Sequence, residues 1–186
     1  IDDSYARNHA KGYLSYAAVS RELNVLPPGN PYNANTENIT TLNDAQNFLY
    51  YINPTAVTKN TYINQLSLVL HDILIIDAFF DTTMLTSTEV SYLKHQAGRE
   101  RLVIAYMSIG EAEDYRYYWQ ESWGRNPPSW LAEENPDWAG NYKVRYWEKE
   151  WQDIIFGSDG SYLGRIINAG FDGVYLDIID AFEYFE

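Results

Sequence analysis

Uninterrupted apolar runs that end at or near a carboxylate set the pattern of this chain. Leu74-Ile75-Ile76 leads into Asp77, Leu102-Val103-Ile104-Ala105-Tyr106 runs on to Glu111, and Gly173-Val174-Tyr175-Leu176 leads into Asp177. Runs rich in Ile, Val and Tyr without polar alternation predict strands buried on both faces of a parallel sheet. A further strand at 48–52 is closed by Asn53-Pro54. The strands are thus expected at 48–52, 73–80, 101–109 and 173–179, with a short one at 12–16. Residues 58–70 carry Tyr62, Ile63, Leu66 and Leu70 on one helical face. A second helix, 86–97, opens with a Thr86/Glu89 capping box and is closed by Gly98. Residues 162–168 belong to a third, ended by Gly170.

Strand–helix alternation of this kind implies a parallel sheet with right-handed crossovers, either doubly wound or a (β/α)8 barrel. In both, ligands bind beyond the carboxyl ends of the strands, so acids recurring there are candidates for an active-site floor. Helix capping or loop hydration would account for any one of them alone. The polar, Pro- and Asn-rich start, residues 1–43, reads as an arm ahead of a body at 44–186. All six tryptophans fall between Glu111 and Gly170, with a Trp-rich insertion at 111–151. A connection that long is usually functional. Most of these rings are expected to form a satellite core, and one or two to line a groove where a sugar can stack.

The formal net charge of −13 over 186 residues argues against a nucleic-acid partner and favours a neutral or cationic ligand. No cysteine is present, which excludes disulfides, thiolate metal sites and thiol catalysis. No apolar stretch is long enough for a membrane span, and the first residues lack the basic and apolar regions of an export signal. Asn38-Ile39-Thr40 matches a glycosylation sequon. Neither phosphate-binding glycine pattern occurs, so no nucleotide cofactor is expected.

Chemistry concentrates in two stretches. In Ser108-Ile109-Gly110-Glu111-Ala112-Glu113-Asp114-Tyr115-Arg116 the glycine permits a sharp turn or a close approach beside the acid. Arg116 can pair with a nearby carboxylate, while Glu113 and Asp114 read as acids at a helix start. In Gly170-Phe171-Asp172-Gly173-Val174-Tyr175-Leu176-Asp177-Ile178-Ile179-Asp180-Ala181, Asp172 belongs to a turn, whereas Asp177 and Asp180 lie at the far end of the strand. Paired acids without a His, Cys or Ser partner suit glycosidic bond cleavage. A divalent-cation site at Asp77, Glu111 and Asp177 is the competing reading, although no calcium-loop or zinc-helix spacing occurs. His9, His71 and His95 show no ligand spacing and read as surface or packing residues.

The stretch 105–116, followed by Tyr118-Trp119, Asn135-Pro136 with Trp138, Gly140-Asn141-Tyr142 and Tyr146-Trp147, together with 170–181, resembles glycoside hydrolase family 114. That family is typified by endo-α-1,4-polygalactosaminidases, and the resemblance covers residue 47 to the last. It implies a (β/α)8 barrel that needs no cofactor or metal, is extracellular or held at the cell envelope, and acts on a cationic galactosamine-containing polysaccharide. Asp177 would correspond to the catalytic acid on the fourth strand. Glu111, Asp180, Asp77 and Tyr106 would fall among the pocket residues, and Tyr175 and Trp147, in the same stretches, are further substrate-binding candidates. The family's second catalytic carboxylate, a Glu from a later strand, has no counterpart here. A full barrel needs about 250 residues. The alternation here covers about four βα units, the first half, to be completed by a carboxy-terminal half or a second copy. The alternative is a carbohydrate-binding module without catalysis.

Overall fold

The computed structural model describes residues 2–96 and 98–186. Seven strands longer than two residues are labelled in chain order: β1 (Phe48–Tyr51), β2 (Ile73–Asp77), β3 (Leu102–Ser108), β4 (Glu111–Glu113), β5 (Leu131–Glu134), β6 (Asn141–Val144) and β7 (Gly173–Asp177). The helices are α1 (Asp2–His9), α2 (Lys59–Leu68), α3 (Ser87–Lys94), α4 (Lys149–Ile155) and α5 (Tyr162–Asn168). The parallel sheet runs β1-β2-β3-β7, and each neighbour follows the last along the chain. A doubly wound sheet reverses about its first strand; this one does not. The order is that of half a (β/α)8 barrel.

Alternation along these strands sorts the side chains onto two faces. Leu49, Tyr51, Leu74, Ile76 and Val103 point outward onto Tyr62 and Leu66 of α2 and Val90 and Leu93 of α3. Ala105 and Met107 meet Trp151 of α4 and Tyr162 and Ile166 of α5. Each fully buried aliphatic here contributes about 1.5–3 kcal/mol by leaving water. The inner face is narrower: Ile73, Ile75 and Leu102 pack with Phe48, Tyr50 and Ile104. Ile39 and Ala45 plug its amino-terminal end, Ile39 donating its N–H to the Glu100 carbonyl at 3.0 Å. The first forty residues are therefore partly woven into the core, and 12–16 form no strand.

Helix ends follow the local chemistry. Thr58 caps α2, accepting from the Thr61 N–H, and the Thr86/Glu89 capping box starts α3. α3 stops at Lys94, before its expected end, because His95–Gln96 turns back on Arg99–Glu100 in a hairpin. Gly98, at φ +75°, serves that turn and not a helix cap; Ala97 lies outside the described residues. β2 is buried along its whole length. β7 is not: Tyr175 and Leu176 are 41% and 45% exposed, because β7 is the edge of the sheet.

The tryptophan-rich connection builds its own three-stranded antiparallel sheet, β4-β6-β5. Trp130 and Trp151 are buried, and rings 119, 123, 130 and 151 contact one another in series at 5.0–5.2 Å. No described helix is long and apolar enough to cross a membrane.

Candidate active site

The parity that buries Ile73 and Ile75 on the inner face carries Asp77 there too, two residues on. The same count places Tyr106 and Asp177. Register fixes their neighbours: Asp77 lies beside Tyr106, Tyr106 beside Tyr175, and Asp177 beside Ser108. Beyond this edge opens a cleft of about 190 Å³ whose lining includes Tyr50, Asp77, Tyr106, Glu111, Arg116 and Asp177. Acids from three separate apolar runs thus meet at one rim.

Within the rim, one guanidinium serves two carboxylates. Arg116 grips Asp77 with both terminal nitrogens, at 2.9 and 2.6 Å. Its Nε and Nη2 reach Glu113 at 2.6 and 3.0 Å. All three side chains are buried. Burial alone would lower the Arg116 guanidinium, but Asp77 and Glu113 outweigh it and hold it well above its ordinary value. Asp77 is further fixed by the Phe79 N–H at 2.8 Å, and Glu113 by the Tyr115 hydroxyl at 2.7 Å. Both of their oxygens are occupied. Asp77 and Glu113 orient Arg116 and the rim; little of them is left for a ligand.

Asp177 and Glu111 differ. The Tyr106 hydroxyl donates to Asp177 Oδ2 at 2.8 Å, and Oδ1 has no partner among the described residues. Burial, followed by the nearby Glu113 and Asp177 charges, pushes the Tyr106 phenol far up, so it keeps its proton and acts as a donor. Glu111 is 3% exposed, and its Oε1 accepts from Asn135 at 2.8 Å and Lys143 at 2.5 Å. Its Oε2 carries no protein hydrogen bond among the described residues. The cleft therefore keeps two open carboxylate oxygens, each on a side chain pinned through its other oxygen.

Gly110 explains how the turns after β3 and β7 come so close. A Cβ at Gly110 would stand 2.2 Å from the Ile178 carbonyl oxygen and 2.6 Å from Ala181 Cβ. The Ile109 N–H also donates to the Asp177 carbonyl at 3.1 Å. The turns after β3 and β7 are interlocked. Ile178, at φ +55°, sits in a region that β-branched residues avoid, and that reversal carries the chain out of the sheet.

Of the candidate residues, Asp77, Tyr106, Glu111 and Asp177 line the cleft, and three do not. Asp180 is exposed at the start of the 3-10 turn Ala181–Tyr184, directed away by the reversal at Ile178. Trp147 is 48% exposed and packs edge-on against Tyr146 and Phe185. Tyr175 lies on the inner face but lays its ring on Tyr50, at 5.1 Å. Glu113 starts no helix: it is paired in β4, where alternation turns it toward Arg116. Sequence reasoning missed Glu113, Tyr115 and Tyr50 in the lining, as well as residues 21–23 of the arm. The tryptophan in the lining is Trp138, partly buried, and not the candidate Trp147. Among the described residues, no group of three or more His, Cys, Asp or Glu is placed to hold a metal ion. Against the cation reading, Asp77 is already held by Arg116 and Glu111 by Lys143.

Comparison with known proteins adds the following. The model of glycoside-hydrolase family GH114 matches residues 30–186. An uncharacterized protein of Methanocaldococcus jannaschii is 44% identical over 153 residues, 81% of this chain and 42% of that protein. An uncharacterized protein of Thermotoga maritima is 59% identical over 81 residues, 44% of this chain and 24% of its own length. The chain thus spans less than half the length of these curated relatives. The crystal structure of Aspergillus fumigatus Ega3 in complex with galactosamine aligns with a TM-score of 0.46 at 22% identity, over 86% of this chain and 50% of that one.

Proposed function

Because the chain belongs to glycoside-hydrolase family GH114, we propose that its cleft holds a cationic, galactosamine-containing α-1,4-linked polysaccharide for hydrolysis, with Asp177 as one of two catalytic carboxylates. The observation that carries this reading is the state of Asp177. It stands on the inner face at the carboxyl end of β7, one oxygen held by Tyr106 and the other open to the cleft. Glycosidic cleavage needs one carboxyl group to protonate the leaving oxygen and another to attack the anomeric carbon or to activate water. A separation of about 5 Å makes the second group a nucleophile with retention; about 6.5–9.5 Å leaves room for water and gives inversion. Glu111 supports the substrate class, because its open oxygen can accept from a sugar hydroxyl or ammonium. The charge of −13 works in the same direction over longer range.

In this reading the second carboxylate comes from further βα units or a second copy set against the open edge of β7. Secretion or attachment to the cell envelope goes with a polymeric substrate. The test is to incubate the complete enzyme, with both carboxylates, and its Asp177→Asn variant with α-1,4-galactosamine polymer, following released oligosaccharide and retained polymer. Release by the parent and none by the variant, with retention in both, is the expected result. Equal release by both would remove Asp177 from catalysis.

A second reading, sugar binding without cleavage, is favoured by the occupancy of the rim. Arg116 consumes Asp77 and Glu113, which leaves Asp177 and a lysine-paired Glu111 to act. Retention of polymer by the parent without any release supports it.

A further inference from the structure

The match to the family begins at residue 30, yet Arg21, Glu22 and Leu23 line the same cleft as Asp177. This wall is built from a part of the chain that the family pattern does not cover. Three bonds fasten it to the carboxyl end of β1. The Leu23 carbonyl accepts the N–H groups of Ile52 and Asn53 at 3.2 and 3.3 Å, and the Glu22 carbonyl accepts Asn53 Nδ2 at 2.9 Å. Leu23 is held at φ +52°, where a bulky side chain is strained. On the far side, the Arg21 guanidinium lies 5.1 Å from the ring centre of Trp138, in the insertion after β3. The segment therefore runs from the β1 rim across to that insertion.

Its polar groups are differently engaged. Arg21 is committed to the Trp138 face. The Glu22 backbone is bonded through both its N–H, to Ser20 Oγ at 3.2 Å, and its carbonyl. Its carboxylate has no partner among the described residues. Glu22 thus adds a third unpaired carboxylate to the residues lining the cleft, on a segment fastened to the β1 end of the sheet, with Asp177 at the β7 end. Glu111, 97% buried in the same lining, has its other oxygen, Oε1, taken by Asn135 and Lys143. A ligand bearing a positive charge on a neutral ring matches this arrangement.

We propose that residues 21–23 are a specificity wall of the cleft, in which Glu22 takes the ammonium group of an amino-sugar unit while Arg21 braces Trp138 as the stacking face. The proposal rests on the reading of the cleft as a saccharide site and names which sugars it prefers. Calorimetry of the full 186-residue chain with α-1,4-galactosamine tetramer, and with its fully N-acetylated counterpart, tests it. Glu22→Gln should weaken the amino tetramer about three- to tenfold and change the acetylated one less than about 1.5-fold, with melting temperature unaltered. Arg21→Ala should weaken both, since stacking does not depend on the sugar's charge. If Glu22→Gln weakens neither or both equally, the wall is overturned while the site stands. If the parent binds neither tetramer, the saccharide reading falls and the wall with it.

Discussion

The two ends of the parallel sheet each bury an arginine–aspartate pair, and they use it differently. At the amino-terminal end, Asp72 receives Arg99 at 2.7 Å, Asn35 at 3.0 and 2.9 Å and the Gln46 N–H at 2.8 Å. Arg101 beside it pairs with no carboxylate among the described residues; it caps the carbonyls of Leu66, Val69 and Leu93, where α2 and α3 end. Burial, then Arg99, lowers its guanidinium to about 10. Asp72, Arg99 and Arg101 are all consumed by the fold there. At the carboxyl-terminal end Arg116 consumes Asp77 and Glu113, but Asp177 and Glu111 each keep an oxygen open. Barrels separate stability from activity between these two faces. Here the separation can be followed oxygen by oxygen.

The largest effect should come from Arg116→Met. It strands two buried carboxylates and should cost about 3–5 kcal/mol in urea unfolding. Arg99→Met should cost less, because Asp72 keeps its amide donors. Equal losses would erase the contrast between the ends.

His71 gives the next test, at the amino-terminal end. Burial, then Arg101, lowers its pKa to about 4, while Asp72 pulls the other way and Arg99 adds to the lowering. A folded pKa below the unfolded value near 6.5 means the neutral ring stabilises the fold above that pH. The contribution is lost as pH falls through 6.5 toward 4, amounting to about 3 kcal/mol. Relative to His71→Gln, the parent should lose that much unfolding free energy between pH 7 and pH 4.

Gly110→Ala should cost about 1–3 kcal/mol, since its Cβ meets the backbone of Ile178. Sugar binding should fall as well, because the Asp177 turn must shift. Tyr106→Phe removes one hydrogen bond and should cost about 0.5–1.5 kcal/mol, while freeing the Asp177 rotamer. Asp177→Asn should lie within about 0.5 kcal/mol of the parent, because the amide oxygen still accepts from Tyr106. A large loss of stability there would make Asp177 a structural residue like Asp72.

What the sequence disclosed follows from the range of each signal. Continuous apolar runs located β1, β2, β3 and β7, and the Thr86/Glu89 spacing located the start of α3, because both are local patterns. The choice between barrel and doubly wound sheet needed strand order, which no run encodes. Arg116 was legible as a pairing residue, but Asp77, 39 positions away, was not legible as its partner. Glu113 was read with Asp114 as an acid at a helix start because β4, Glu111–Glu113, has too few residues to display a two-residue period. The arm gave no sign of reaching the cleft: its contacts are backbone bonds from Leu23 and a cation over Trp138, neither of which leaves a mark in composition.

The interlocked turns at Gly110 and Ile178 have a consequence for anyone exchanging parts between such proteins. A graft that brings in a foreign loop on one side, with any residue bulkier than hydrogen at 110, will dislodge its opposite number. The two segments must travel as a cassette, and a library that varies them separately will consist mainly of mismatched halves.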